Sequence, residues 1–304
     1  MPLTQIQANT ESDLVITLPN VESEIISTKV AALFAVRRID ANIHFVCHKE
    51  IERQWLINKL RSLQYSIYKL DRCGETNWIP SNNILDELWA NIYEQLRFFG
   101  IGKREINLLL RDMKAYQRVE ALLREGRSPT EVAIQDFYYL KTCDVRLARR
   151  LISLVTHHKY SKFITLAWNY YDLASEICDD LTDVWEDSFN YNCNRFTIKR
   201  RLFGENETRA EYSSFLHLIE AGARDLTKGA KESGILEINQ ICQWALRTID
   251  TAKVILERCL KKPLAPVLAF EQKFISPFEL NQIVKRYLDE PVPIIQTISN
   301  NQAT

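Results

Sequence analysis

Glycine is scarce in this chain, with 8 residues in 304, against a usual share of about 7%. Folds built from many tight hairpins or glycine-lined phosphate loops need more backbone freedom than that. Charge of either sign is not in excess: Lys plus Arg is 39 and Asp plus Glu is 39. A chain-wide electrostatic footprint for nucleic acid or an anionic membrane is therefore excluded, although a local patch is not. Long apolar runs are missing too. Val30 to Val36 is the longest near the N-terminus, far below the ~18 to 20 residues that span a bilayer. The first residues, MPLTQIQANTESDL, are polar and lack a basic stretch followed by an apolar one, so they do not read as a secretory leader. Seven cysteines stand at 47, 73, 143, 178, 193, 242 and 259, with no CxxC pair. Scattered and odd in number, they read as buried free thiols of a soluble, cytoplasmic protein.

Proline is confined in a telling way. None occurs between Pro80 and Pro129, nor from Thr130 to Lys262. Helices accept proline only in their first turn, so such stretches permit long helices. The apolar residues agree: Ile84, Leu85, Leu88, Ile92 and Leu96 recur at the helical period, and Leu108, Leu109, Met113 and Tyr116 follow. Gly100, Gly102 and Gly126 mark breaks, with Ser128 or Thr130 as a cap. The spacing predicts helices near 22–50, 84–99, 104–125, 131–157, 161–190, 208–232, 236–261 and 278–289. No confident strand appears. The expected organisation is one all-α domain over residues 21–290, with loose polar tails at 1–20 and 291–304 and a linker at 261–266.

The segment Trp168 to Asp187 carries the chemistry. Seven acids fall within sixteen residues: Asp172, Glu176, Asp179, Asp180, Asp183, Glu186 and Asp187. At ~100° per residue they share about a third of a helix circumference. Leu173, Ile177, Leu181 and Val184 take the opposite side. No basic residue lies between Phe163 and Phe189. Like charges at i,i+4 cost roughly 0.2–0.5 kcal/mol per pair, so such a face is either solvated or meets a countercharge. Mg²⁺, which takes oxygen ligands, is the natural one, and Asp179, Asp183 and Asp187 stack at i,i+4. A basic run follows, Arg195-Phe196-Thr197-Ile198-Lys199-Arg200-Arg201. Arginine grips phosphate bidentately and lysine binds it as a point charge. Arg195 and Lys199 share a face if this run is helical. Arg146, Arg149 and Arg150 form a second cluster, read as structural partners of acids, with Asp144 adjacent. The nearby Trp and Tyr residues are read as core or rim. A Ser/His/Asp constellation, a P-loop, GxGxxG and zinc-ligand spacing are all missing.

Asp179-Asp180-Leu181-Thr182-Asp183 reads D-D-x-x-D, and Tyr170 to Asp187 around it resembles the second aspartate-rich motif of trans-isoprenyl diphosphate synthases. Thr182 to Asp187, TDVWED, is similar to the R-D-V-x-E-D pattern of squalene and phytoene synthases, with Thr in place of Arg. Upstream, Tyr138-Tyr139-Leu140-Lys141-Thr142 resembles the Lys-Thr element of the prenyl synthases, at a matching interval. The likeness covers about residues 135–260.

The resemblance implies an isoprenoid synthase-like helical bundle around a central apolar cavity. It implies Mg²⁺ held by Asp179 and Asp183, with Asp180 and Asp187 in support, and a substrate diphosphate held by Lys141, Arg195 and Lys199. Asp179, Asp183 and Lys141 would then be the catalytic residues. A first acidic motif would fall near 40–50, where Asp40 is the candidate ligand, sharing a helix face with His44; Asp86-Glu87 and Asp112 lie too close to Lys141. The implied activity is ionisation of an allylic prenyl diphosphate by a divergent prenyl transferase or terpene synthase. The alternative is a non-catalytic homologue that regulates a catalytic partner or carries an apolar ligand. A homodimer, or a heteromer with a catalytic homologue, is the implied assembly, with no nucleic-acid partner.

Overall fold

The computed structural model describes residues 24–76, 81–124, 132–187, 194–233 and 235–263. Every regular element among them is a helix. The protein is all-α, and no described helix is long and apolar enough to cross a membrane. The expected helix at 278–289, both tails and the second half of the linker, 264–266, lie outside the described residues. The chain divides into two compact units, one of Met1–Arg72 with Ser81–Ile101 and one of Cys73–Pro80 with Gly102–Thr304.

The first unit contains α1 (24–36), α2 (Ile39–Val46), α3 (Glu50–Thr76) as far as Arg72, and α4 (Asn82–Arg97). The expected helix at 22–50 is broken at Arg38, whose φ of 54° turns the chain between α1 and α2. Helix α3 lies in a region where the apolar reading places none. Its buried stripe is Leu56, Leu60, Leu63, Ile67 and Leu70, at the spacing of one helix face. Each such side chain contributes roughly 1.5–3 kcal/mol on full burial. Ser62 Oγ donates to Gln95 Oε1 at 3.0 Å, and Lys59 sits over the Phe98 ring at 4.7 Å, which ties α3 to the end of α4.

The second unit contains α5 (Lys103–Leu109), α6 (Arg111–Arg124), α7 (Ile134–Lys141), α8 (Cys143–Val155), α9 (Lys162–Thr182), α10 (Val184–Asp187), α11 (Arg195–Ser233) and α12 (Leu236–Lys261). Helix α9 starts on Ser161, whose Oγ accepts from the Ile164 N–H at 3.2 Å, as an N-cap should. It packs chiefly against α11 and α12. Ala174, Ile177 and Leu181 of α9 join Tyr212, Leu216, Ile249 and Leu256 in one buried cluster. Gly222 lets α11 pass close to α9, because a Cβ there would lie 2.3 Å from the Tyr170 hydroxyl.

Helix α11 is two helices joined by a kink at Gly204, with φ 81° and ψ 178°. Before this joint, Arg200 reaches across to the end of α12. Its Nη1 donates to the Cys259 and Lys262 carbonyls at 2.9 and 2.7 Å, and its Nη2 to the Leu260 carbonyl at 2.8 Å. These acceptors stand at the helix end, where carbonyls lack i→i+4 donors; Cys259's also accepts the Lys262 N–H at 3.2 Å. Six of the seven cysteines fall among the described residues and all six are free thiols; Cys193 lies outside. The Cys259 thiol donates to the Leu181 carbonyl at 2.9 Å.

Candidate functional site

Helix α9 runs through the second unit with its acidic face turned inward. Asp172, Glu176 and Asp180, at i, i+4 and i+8, are all buried. The solvated acidic stripe is thus not what these residues form. The countercharge comes from α7 and α8. Arg149 on α8 donates from Nε and Nη2 to the two oxygens of Asp172, at 2.8 and 2.6 Å. Its guanidinium lies over the Trp168 ring at 3.7 Å. Lys141, at the end of α7, bonds Asp180 Oδ1 and stands 3.5 Å from Glu176. The other oxygen of Asp180 accepts from the Tyr138 hydroxyl at 2.8 Å, and Tyr138 is joined at 2.9 Å to the Tyr212 hydroxyl of α11.

The charges in this interior are unequal. Burial raises the Asp180 carboxyl; Lys141 draws it back, but Glu176 and Asp187 add negative charge, and it stands at about 7. Burial also pulls the Lys141 ammonium down, yet Asp180, Tyr116 and Glu176 outweigh burial and push it up, so the lysine keeps its proton. Burial, with Asp180 alongside, pushes the Tyr138 phenol well above its ordinary value, and it acts as a neutral donor.

The remaining expected site residues are distributed around this network. Asp183 ends α9, with φ −92° and ψ 7°. The helix therefore does not continue smoothly to Asp187, and the ideal i,i+4 stack of Asp179, Asp183 and Asp187 is interrupted there. Asp179 is exposed, whereas Asp187 is buried and accepts from Asn194 Nδ2 at 2.7 Å. The same Asn194 nitrogen reaches the Asp180 carbonyl at 2.7 Å, while its Oδ1 caps α11 by accepting from the Thr197 N–H at 3.1 Å. Arg195 and Lys199 do share a face, and Glu211 from beyond the Gly204 joint answers both. Arg195 binds it bidentately at 2.8 and 2.9 Å, and Lys199 lies 3.9 Å away. Asp40 belongs to the first unit. Its Oδ1 is buried without a hydrogen-bond donor among the described residues, and its carbonyl faces His44 Nδ1 at 2.8 Å.

Comparison with protein-family models, with curated proteins and with solved structures returned no match.

Magnesium needs carboxylate oxygens turned toward it, usually with water and phosphate completing the shell. Here Arg149 occupies both oxygens of Asp172. Lys141 and Tyr138 occupy those of Asp180. Asn194 holds Oδ2 of Asp187. Among the described residues no group of three or more His, Cys, Asp and Glu side chains converges in metal-binding geometry. Asp172, Asp180 and Asp187 are thus engaged by the chain's own donors in this arrangement.

Two features escape a sequence reading. Arg146, Arg149 and Arg150 do partner acids, and Asp112 and Asp172, distant in sequence, are among them. Tyr138 and Tyr212 complete the network from 42 and 74 residues of separation. The one signal for Tyr138 is its place three residues before Lys141.

Proposed function

We propose that this chain is a non-ionising relative of the isoprenoid synthases, a binding or regulatory protein for a prenyl diphosphate or similar apolar ligand. One observation carries the reading. One of the positions that resemble metal-binding acids, Asp180, is held from inside by Lys141, and the acid two turns before it on the same face, Asp172, by Arg149, both in buried pairs. Breaking such a pair leaves an uncompensated buried charge and costs about 3–5 kcal/mol. An incoming ion would meet that cost before gaining its ligands. The acid pattern then serves to fix α7 and α8 on α9, and ligand binding does not depend on a divalent ion.

The test uses geranyl, farnesyl and geranylgeranyl diphosphate. Binding is followed by tryptophan fluorescence in EDTA and in Mg²⁺, and diphosphate release is measured with and without isopentenyl diphosphate. Saturable binding of equal strength in both buffers, without release, is the expected result. Mg²⁺-dependent release that disappears in Asp179→Ala with Asp183→Ala would overturn the reading and establish the ionising enzyme instead.

A further inference from the structure

Helix α8 has a second side. Alongside the residues that reach the α9 acids, it walls a cavity of about 670 Å³ within the second unit. That volume lies inside the range of about 300–1,000 Å³ typical of small-molecule sites. Five basic side chains line it, against one acid, Glu105. Leu108, Leu109 and Leu154 supply apolar wall.

The basic groups fall into two kinds. Arg146 and Arg149 are buried and fixed. Arg146 donates from Nη1 to Thr142 Oγ1 at 2.8 Å and from Nη2 to Asp112 at 3.0 Å, and lies 3.5 Å over the Tyr139 ring. Its Nε is buried with no hydrogen-bond partner among the described residues. Arg149 is clamped between Asp172 and Trp168. Arg150 and Lys159 stand at the rim. Arg150 is 38% exposed, and Lys159 is exposed with no partner among the described residues.

Pairing does not cancel this charge. Asp112 is shared by three arginines, Arg111, Arg146 and Arg150, at 3.3, 3.0 and 3.2 Å. Burial raises its carboxyl, but Arg150 and Arg146 prevail and hold it below the usual carboxylate range, so it counts as one full negative charge. With Asp112, Asp172 and Glu105 all counted against the five lining cations, two positive charges remain in a concave site. A concave site with a net charge concentrates ions of the opposite sign. Guanidinium groups with fixed planes suit phosphate oxygens, which they bind bidentately, more than a lone carboxylate.

We infer that this cavity binds a small organic phosphate carrying at least two negative charges, its phosphate met by Arg150, Lys159 and Arg146 and its body lying along the leucine wall. This cavity is built by α8 and not by the α9 acids, and probes without an isoprenoid chain separate its failure from that of the isoprenoid reading. Titration calorimetry of the full chain with inorganic pyrophosphate, ADP and citrate tests it, beside Arg150→Gln with Lys159→Gln. Both substituted residues stand at the rim, and circular dichroism melting checks that the variant folds. Lys228→Gln, on the exposed face of α11, is the control for general electrostatics. Pyrophosphate and ADP are expected to bind. Affinity should fall at least ten-fold in the double variant and stay unchanged in the control. Any of three results overturns the inference: no binding of either phosphate probe, equal loss in the double variant and the control, or citrate binding more tightly than both.

Discussion

Replacing Asp180 by asparagine separates the charge of the α9 network from its shape. The native carboxyl is 2% exposed. It shares Lys141 with Glu176 and feels the negative charge of Asp187. Its folded pKa is about 7, against 3.8 for the free group. Between these values the folded protein holds a proton that the unfolded chain has released. Stability must then fall as pH rises through that window and level off above about 7. At about 1.4 kcal/mol per pKa unit, the ceiling is about 4 kcal/mol. Relaxation and water penetration lower it, and about 2 kcal/mol is the working expectation.

The Asp180→Asn variant keeps an oxygen for Lys141 or Tyr138 and has no carboxyl proton to lose. Urea unfolding from pH 5 to pH 9, followed by circular dichroism, gives both stability curves. Their difference removes the contribution of groups that titrate alike in both proteins. The native protein should lose about 1 kcal/mol relative to the variant as pH rises from 5 to about 7, the rest of the loss falling below pH 5, with no further loss above about 7. A difference that stays flat from pH 5 to pH 9 would refute the reasoning. It would mean that Lys141 holds Asp180 ionised, at or below its ordinary value.

Two further substitutions probe the frame of the site. Arg149→Ala strands Asp172, which is 1% exposed, and should cost about 3–5 kcal/mol in urea unfolding; Arg149→Met with Asp172→Leu should recover most of it. Gly204→Ala places a Cβ at φ 81° and ψ 178°, a region essentially reserved for glycine, and should lower stability by about 1–3 kcal/mol, read as a lower melting temperature.

Residue patterning and tertiary placement are not equally legible. Helix class is readable because proline is missing over long stretches and apolar residues recur at the helical period. The α3 stripe of Leu56, Leu60, Leu63, Ile67 and Leu70 carries the same signal, masked by the many charged and polar residues between. The common face of Asp172, Glu176 and Asp180 is likewise readable from spacing. Its burial is not, because an acidic face looks the same in sequence whether water, an ion or an arginine answers it. The answering groups lie on α7 and α8, 23 to 42 residues away, and nothing in local spacing points to them. The bend at Asp183 is hidden for a related reason. Thr182 and Asp183 interrupt no apolar pattern, so an ideal helix extrapolates through them. Glu211 escapes notice as the partner of Arg195 because only the kink at Gly204 brings residues sixteen apart together.

The hold of Arg200 on the far end of α12 bears on the order in which the chain is made. Its three carbonyl acceptors lie 59 to 62 residues downstream. On a ribosome, α9 and the first half of α11 emerge well before them. Until Cys259 to Lys262 have left the exit tunnel, the Arg200 guanidinium lacks these acceptors and Leu181 lacks its thiol donor. The α9 core is open on one side for the same interval. This half of the molecule must therefore close late in synthesis, and premature release of the chain would leave an arginine-bearing, apolar face uncovered.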